Sequence, residues 1–238
     1  MARQTITEIK KGQIGTGLLI ENDGYVSLDM PENKILKESI GFDGGFINPK
    51  DLPRPFVVSA VFQKFGIENG NGRIYPEAIL KREVEKYQQV IRERRGYGEL
   101  NHPECSAIDL GRISLNIIEL HWEGKTLVGK MEIPISEGFR EHGGVYTCAD
   151  ILAQWIISGL RVGVSSRALG SVTQQGGRLI VGDDLELVCW DAVAQNSTPG
   201  AIIATDYEDL KPYIESTEKS GDLIKEDKYS EFDAWLND

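Results

Sequence analysis

The chain of 238 residues contains only three cysteines, Cys105, Cys148 and Cys189. They are far apart, they form no C-x-x-C pair, and no histidine lies near them at zinc-finger spacing. The sequence therefore predicts neither a disulfide framework nor a structural zinc site. We expect reduced thiols, as in a cytosolic protein.

Long apolar runs are also missing. No stretch approaches the roughly 20 apolar residues that a membrane-spanning helix needs. The first eight residues are polar and do not resemble a signal peptide. We therefore expect a soluble protein that is not exported by this route and does not use a membrane as a partner.

Positive charge is scarce relative to negative charge. Lys and Arg number 26 against 37 Asp and Glu, which gives a net charge of -11. This balance argues against nucleic acid as a partner, because such binders carry a basic surface. Residues 206–238 contain eleven acids and four Lys, so this end supplies 4 − 11 = -7 of the total. The sequence thus predicts an acidic C-terminal tail, residues 204–238, that behaves as a separate segment.

Apolar residues make up 40% of the chain, which is enough for a packed core. We divide it into an irregular N-terminal arm (1–50), a central domain (51–203) and the tail. In the central domain, the periodicity of apolar residues predicts a series of strands and two helices. The strands are expected at 56–65, 113–122 with a bulge near Ile117, 127–135, around Ser165, 178–181 and 185–193. The helices are expected from Pro76 to about Gly96 and from Thr147 to Gly159.

The order of these elements favours an α+β fold. Most strands are joined by short turns, including Gln174–Gly177 before the strand at 178–181, so the sheet is expected to be mostly antiparallel. We predict that it closes into a β-barrel wrapped by helices. In the tail, short helices are expected at Tyr207–Glu218 and Ser230–Asn237, with little burial.

Two stretches of unusual composition suggest chemistry. Residues 159–171 contain three glycines, Ser165, Ser166 and Arg167, and glycine allows a backbone to approach a ligand closely. Residues 98–103 carry His102, one of only three histidines. A serine that attacks a carbonyl needs a base, and imidazole has the unperturbed pKa closest to neutrality. On the residues alone, Ser165 is equally compatible with an ordinary strand and His102 with a turn.

A third candidate is Asp191, which lies inside the apolar run Leu187–Val193. A carboxylate in a buried strand is unfavourable unless it is paired or has a functional role. Backbone N–H groups could satisfy it equally well, so the residue pattern leaves both interpretations open.

Together these motifs resemble a known family. Asn71-Gly-Arg-Ile-Tyr-Pro76, Gly98-Glu-Leu-Asn-His-Pro103, Gly163-Val-Ser-Ser-Arg167 and Asp191-Ala-Val193 occur in the order seen in the prohead core proteases of T-even-like tailed phages. The resemblance covers roughly residues 55–200. That family is similar in fold to the herpesvirus capsid maturation proteases, which are β-barrels wrapped by helices. The turn at Asn71–Pro76 has no evident chemical role, and we interpret it as a structural turn before a helix.

The resemblance implies a serine endopeptidase whose nucleophile is Ser165 and whose general base is His102. Ser166 and Arg167 would help to form the oxyanion and substrate-binding site. Asp191 matches a family segment and would be the third catalytic residue. Because the herpesvirus enzymes use a second histidine in that role, His121 and His142 remain alternatives. No metal or organic cofactor is expected.

The resemblance also implies a biological setting. The substrates would be phage scaffold (core) proteins and the major capsid protein, cut after Glu in Ile/Leu-x-Glu sequences inside the assembling prohead in the host cytoplasm. The arm and tail would be pro-segments or scaffold-docking segments that the enzyme trims, and a homodimer or higher oligomer is conceivable by analogy. Two other functions stay open at this point. One is a catalytically inactive scaffold or capsid component, and the other is an unrelated hydrolase that acts on small esters.

Overall fold

The computed structural model describes residues 6–7, 18–20, 47–103 and 105–215. This part of the chain has a mixed α+β fold, as predicted, in which twelve strands form sheets of five, four and three strands. None of its helices is long and apolar enough to cross a membrane.

The five-stranded sheet is antiparallel and has the order β12-β3-β7-β6-β5. Its strands are β3 (Val57–Lys64), β5 (Tyr97–Glu99), β6 (Ile113–Glu123), β7 (Thr126–Glu132) and β12 (Ile203–Ala204). The predicted strands at 56–65, 113–122 and 127–135 are thus confirmed. The predicted bulge is confirmed as well, because the pairing register of β6 with β7 shifts between Ile117 and Glu119.

The four-stranded sheet carries the candidate chemistry. It consists of β1 (Ile6–Thr7), β2 (Leu18–Ile20), β8 (Gly163–Leu169) and β11 (Glu186–Val193), antiparallel and in that order. β8 and β11 confirm the strands that the sequence predicts around Ser165 and at 185–193.

A small third sheet has the order β4-β10-β9, formed by β4 (Arg73–Ile74), β9 (Val172–Gln175) and β10 (Arg178–Val181). Gly176 and Gly177 form the β9–β10 turn with positive φ, 57° and 85°. The sequence placed this turn directly after the serine strand, but β8 ends at Leu169 and β9 belongs to a different sheet.

The prediction of one closed barrel is wrong for the described residues. Among the described residues, the strands of the five- and four-stranded sheets pair with each other only at isolated bridges, Leu100 with Ala192 and Gly163 with Ile202. The physical reason lies in the edge strands, because β5 and β12 are only three and two residues long and cannot continue a ladder from one sheet to the next. The alternation of apolar and polar residues along the chain predicts strands well, but it does not determine whether the edges of two sheets join.

The helices are α1 (Glu77–Arg92), α2 (Glu137–His142) and α3 (Cys148–Ile157). α1 begins after Pro76 as predicted and ends four residues early, with Arg94 at a φ of 54° beyond it. α3 begins with the predicted capping box between Thr147 and Asp150. It stops before Gly159, whose φ is 74°.

The main core lies between the two larger sheets and α1. Trp190 of β11 is fully buried and packs edge-on against Phe62 of β3 and Tyr87 of α1, with ring centroids 5.6 and 5.1 Å apart. Such aromatic contacts fix strand β11 against the domain.

The first part of the tail packs on this domain. Residues 207–210 form a 3₁₀ helix, helical residues follow to 215, and Leu210, Tyr213 and Ile214 are buried against β3 and β7. The expected slight burial is therefore wrong for this part, since three apolar side chains at helical spacing suffice to dock it. The second predicted tail helix, Ser230–Asn237, lies outside the described residues.

Candidate active site

The candidate site is built on the pairing of β8 with β11. Ser165 lies directly opposite Asp191, and Ser166 lies opposite Trp190. Because side chains alternate along a strand, Ser165, Arg167 and Asp191 share one face of the sheet. Ser166 is on the other face with Trp190, whose ring belongs to the main core. Of the two neighbouring serines, Ser165 is therefore the one beside the carboxylate.

The loop that carries His102 approaches β11 through a glycine. A Cβ atom on Gly98 would lie 2.2 Å from the backbone oxygen of Trp190, so only glycine allows β5 to come this close. The amide of Asn101 then donates to the carbonyl of Ala192 at 2.8 Å, and Asn101 itself has a φ of 60°. This turn delivers His102 to the side of Asp191.

His102 and Asp191 form a short hydrogen bond in the interior. Nδ1 of His102 lies 2.6 Å from Oδ2 of Asp191, and both side chains are 0% exposed. The backbone N–H of Glu99 donates to Oδ1 of Asp191 at 2.8 Å. Burial works to raise the pKa of Asp191, but the bond with His102, the positive charge of Arg167 and the amide of Glu99 outweigh it and lower that pKa.

An ionised Asp191 fixes the tautomer of His102. A carboxylate can only accept, so Nδ1 carries the proton and the lone pair is on Nε2. Nε2 is buried and has no hydrogen-bond partner among the described residues. The imidazole is therefore held in the form that can take up a proton at Nε2.

Arg167 is buried at the centre of this cluster. Its guanidinium lies 3.1 Å from Oδ2 of Asp191 through Nε and 3.2 Å from Oε1 of Glu99 through Nη2, and Nη1 donates to the carbonyl of Cys105 at 2.7 Å. Burial would lower the pKa of Arg167, but the negative charges of Asp191 and Glu99 raise it above its usual value. Arg167 thus connects β8, β11 and the loop that carries His102.

Sequence reasoning missed Glu99. Its side chain is 0% exposed, Oε1 accepts from the amide of Asp109 at 2.8 Å, and Oε2 lies 3.3 Å from Nε of Arg112. Glu99 therefore closes the loop from 99 to 109 and shares Arg167 with Asp191. A glutamate between Gly98 and Leu100, inside the motif that contains His102, is the signal that could have indicated it.

Cys189 was also missed as a member of the cluster. Its Sγ lies 3.2 Å from Nη2 of Arg167 and 3.3 Å from Oδ1 of Asp191. Burial and the charge of Asp191 raise the pKa of Cys189 well above its usual value. It therefore remains a thiol, which can donate to Asp191, and does not compete for the positive charge of Arg167.

The two alternative histidines lie elsewhere. His121 is on β6 with a side chain 45% exposed, between Glu119 and Glu123 at 3.4 and 3.3 Å. His142 is exposed in the last turn of α2. The structure thus brings together Ser165, His102 and Asp191 and leaves both other histidines at the surface.

The oxyanion candidates are backbone amides of β8. The N–H of Val164 donates to the carbonyl of Ala201 at 2.9 Å, on the edge of β8 that faces away from β11. Amides alternate between the two edges of a strand, so the N–H of Ser166 points to that same outer edge, whereas the N–H of Arg167 points towards β11.

Within the described ranges, no group of three His, Cys, Asp or Glu side chains is arranged to hold a metal ion. A serine on a strand, a buried histidine side chain and a buried aspartate are the side chains with which serine hydrolases act.

Comparisons with known proteins identify the family of serine hydrolases to which this chain is similar. Residues 18–210 match the family described as prohead core protein serine protease. The prohead core protein protease of Enterobacteria phage T4 is 33% identical over 177 residues, which cover 72% of this chain and 76% of that protein. A solved structure of the bacteriophage T4 capsid assembly protease matches with a TM-score of 0.56 at 26% identity, covering 74% of this chain and 96% of that one.

The chain belongs to the prohead core protein serine protease family. It is a serine protease of the kind that phages use in capsid maturation. The resemblance in the sequence motifs is thereby confirmed at the level of family.

Proposed function

We propose that this protein is a serine endopeptidase in which Ser165 is the nucleophile, His102 the general base and Asp191 the residue that orients His102. The observation that carries the proposal is the 2.6 Å bond between His102 and Asp191, buried beside a serine that pairs with Asp191 across the sheet. Opposite residues of an antiparallel pair have Cβ atoms only about 5 Å apart, so Ser165 is near the same carboxylate as His102.

The chemistry proceeds by acyl transfer. Nε2 of His102 accepts the hydroxyl proton as Oγ of Ser165 attacks the peptide carbonyl, and returns it to the amine that leaves. Water then hydrolyses the acyl-enzyme by the same proton route. Asp191 stays ionised throughout, as its lowered pKa supports, and stabilises the imidazolium.

The N–H of Ser166 stabilises the negative oxygen of the tetrahedral intermediate. It follows the nucleophile directly and points to the edge of β8 away from β11. Arg167 does not contact the substrate directly in this proposal, because its guanidinium is already bonded to Asp191, Glu99 and the carbonyl of Cys105. We assign Arg167 the positioning of Asp191 and of the His102 loop.

The substrates are the scaffold proteins and the capsid-protein extensions inside the assembling prohead, in the host cytoplasm. Family membership supports this setting. Cleavage after Glu in Ile/Leu-x-Glu triplets is what the resemblance to that family implies. The chain has such triplets in the arm (Ile6–Glu8, Leu19–Glu21 and Leu36–Glu38) and in the tail (Ile224–Glu226). Others lie in the central domain, among them Ile117–Glu119 inside β6. Self-cleavage would trim the arm and the tail.

The test compares wild type with Ser165→Ala by intact mass, each expressed alone and together with a scaffold protein that contains Leu-x-Glu sites. We expect wild type to shorten the scaffold after Glu and Ser165→Ala to leave it intact. Ser59→Ala is the matched control, since Ser59 is another buried strand serine, on β3. If wild type and Ser165→Ala give identical masses with scaffold present, the catalytic assignment fails and a structural role in the capsid would be the better account.

A further inference from the structure

The strand that carries Ser165 has a second edge, and the N-terminal arm is paired with it. β2 runs antiparallel to β8, with Leu18 opposite Leu169, Leu19 opposite Ala168 and Ile20 opposite Arg167. Ile20 therefore lies opposite a residue only two positions after Ser165. Because the strands are antiparallel, the chain of β2 runs from Leu169 towards Ser165.

The arm is attached as an added strand. In the described part of the chain, β2 pairs with β8 and with β1, and β1 pairs only with β2. Addition of an extended segment to the edge of a sheet is a recurring way in which proteins bind peptides. The backbone supplies the affinity, so the mode suits an enzyme that must bind extended chains.

The backbone geometry makes this edge continuous with the chemistry. The amides of Val164, Ser166 and Ala168 all point to the outer edge, because Val164 donates to Ala201 there and amides alternate. Ala168 pairs with β2 on this edge, and the amide of Ser166 is the proposed oxyanion donor. A peptide paired like β2 leads its next residues past Ser166 and Ser165.

We propose that the outer edge of β8 at Arg167–Leu169 is the binding site for an extended peptide substrate, and that β2 occupies this site in the intact chain. The inference rests on the proposed function, since it takes Ser165 as the nucleophile. The arm is then a competitor in cis, and a substrate must displace it. A tethered segment acts at an effective concentration of about millimolar, so the competition lowers the apparent affinity for free peptide substantially.

The substitution Leu19→Pro tests whether β2 competes with substrate for the edge of β8, because it weakens the pairing of β2 with β8. Leu19 faces Ala168, whose amide points to β2, so the pair exchanges hydrogen bonds and proline removes the donor from it. The control is Lys37→Pro, which places the same residue elsewhere in the arm. Both changes are made in the full chain with Ser165→Ala, so that nothing is cleaved. The probe is a fluorescent peptide with the sequence of residues 14–24.

We expect Leu19→Pro to bind the probe about tenfold more tightly than the parent or Lys37→Pro. Equal affinity in all three proteins would overturn the inference. Hydrogen exchange on the parent gives a second measurement that needs no variant. Saturating probe should deprotect residues 18–20 while 167–169 stay protected, and an arm that remains protected with probe bound would refute the competition.

These readouts are independent of catalysis. If the wild-type protein does not cleave the scaffold, the proposed function is overturned, but the binding results of the Ser165→Ala proteins are unchanged. Cleavage that depends on Ser165, combined with equal probe affinity in all three proteins, would leave the protease intact and remove only the role of β2.

Discussion

Replacement of Asp191 by Asn tests the central geometry, because it removes one charge and almost no volume. Asp191 holds Nδ1 of His102 at 2.6 Å as an acceptor. An amide can instead donate to Nδ1, which places the ring proton on Nε2, where it blocks the uptake of the serine proton. We expect kcat to fall by about ten-thousandfold, the size of effect known for the wrong tautomer in a serine triad.

The same change should lower stability in a predictable way. It leaves the buried guanidinium of Arg167 without the carboxylate at 3.1 Å, although Glu99 at 3.2 Å remains. Removing one partner of a buried ion pair costs about 3–5 kcal/mol, and the retained Glu99 places the expected loss near the lower end. Since the folded-state pKa of Asp191 is lowered, its contribution is present above the ordinary carboxyl pKa and lost as pH falls below it.

The assay pairs urea unfolding at pH 7 and pH 3 with steady-state cleavage of a peptide. Asp150→Asn is the matched control, because Asp150 is also 0% exposed with a lowered pKa but only caps the start of α3 and the turn at Ser136. Both variants should lose stability, and only Asp191→Asn should lose kcat in the folded protein. A kcat within tenfold of wild type for Asp191→Asn would refute the assignment of the third catalytic residue.

Three further changes test the surroundings of the site. Glu99→Gln removes a buried carboxylate 3.2 Å from Arg167, and urea unfolding should show a loss of about 3 kcal/mol because Asp191 remains as the second partner; Glu83→Gln, a buried carboxylate whose partners Arg82 and Lys86 are exposed, should lose less. Gly98→Ala forces a Cβ atom to 2.2 Å from the oxygen of Trp190, and thermal unfolding should show a loss of about 3 kcal/mol. Burial lowers the pKa of Lys64 to about 8, so the unfolded chain binds more protons above that pH. The unfolding free energy of wild type minus that of Lys64→Met should therefore rise from pH 8 to about pH 10.5.

The sequence predicted those features that local patterns determine. Alternating apolar residues located β3, β6 and β7, and the bulge near Ile117 followed from a change of phase. Thr147 and Asp150 predicted the start of α3, because a capping box is a local hydrogen-bond pattern. The pairing of sheet edges is a long-range property, so the single bridges between the two larger sheets could not be foreseen.

The candidate site divides in the same way. Ser165, His102 and Asp191 became candidates because their motifs resemble those of a known family, whereas the residue patterns alone left each of them open. Glu99 had only one local signal, its place inside the motif of His102, since its contacts are with Arg167 and Asp109, which are distant or unremarkable in sequence. The pairing of β2 with β8 was equally hidden, because three apolar residues in a polar arm have no periodicity to read.

The two edges of β8 have different roles: one holds the candidate catalytic residues, and the other is the proposed binding site for the substrate backbone. One edge pairs with β11 and fixes Asp191, and through it His102, against Ser165. The other edge binds an extended backbone and presents the amide of Ser166 beside the same serine. In the proposed binding mode, a peptide pairs with this outer edge as an added strand and so comes beside Ser165. That mode would favour extended segments of a substrate through backbone pairing alone, before any side chain is recognised.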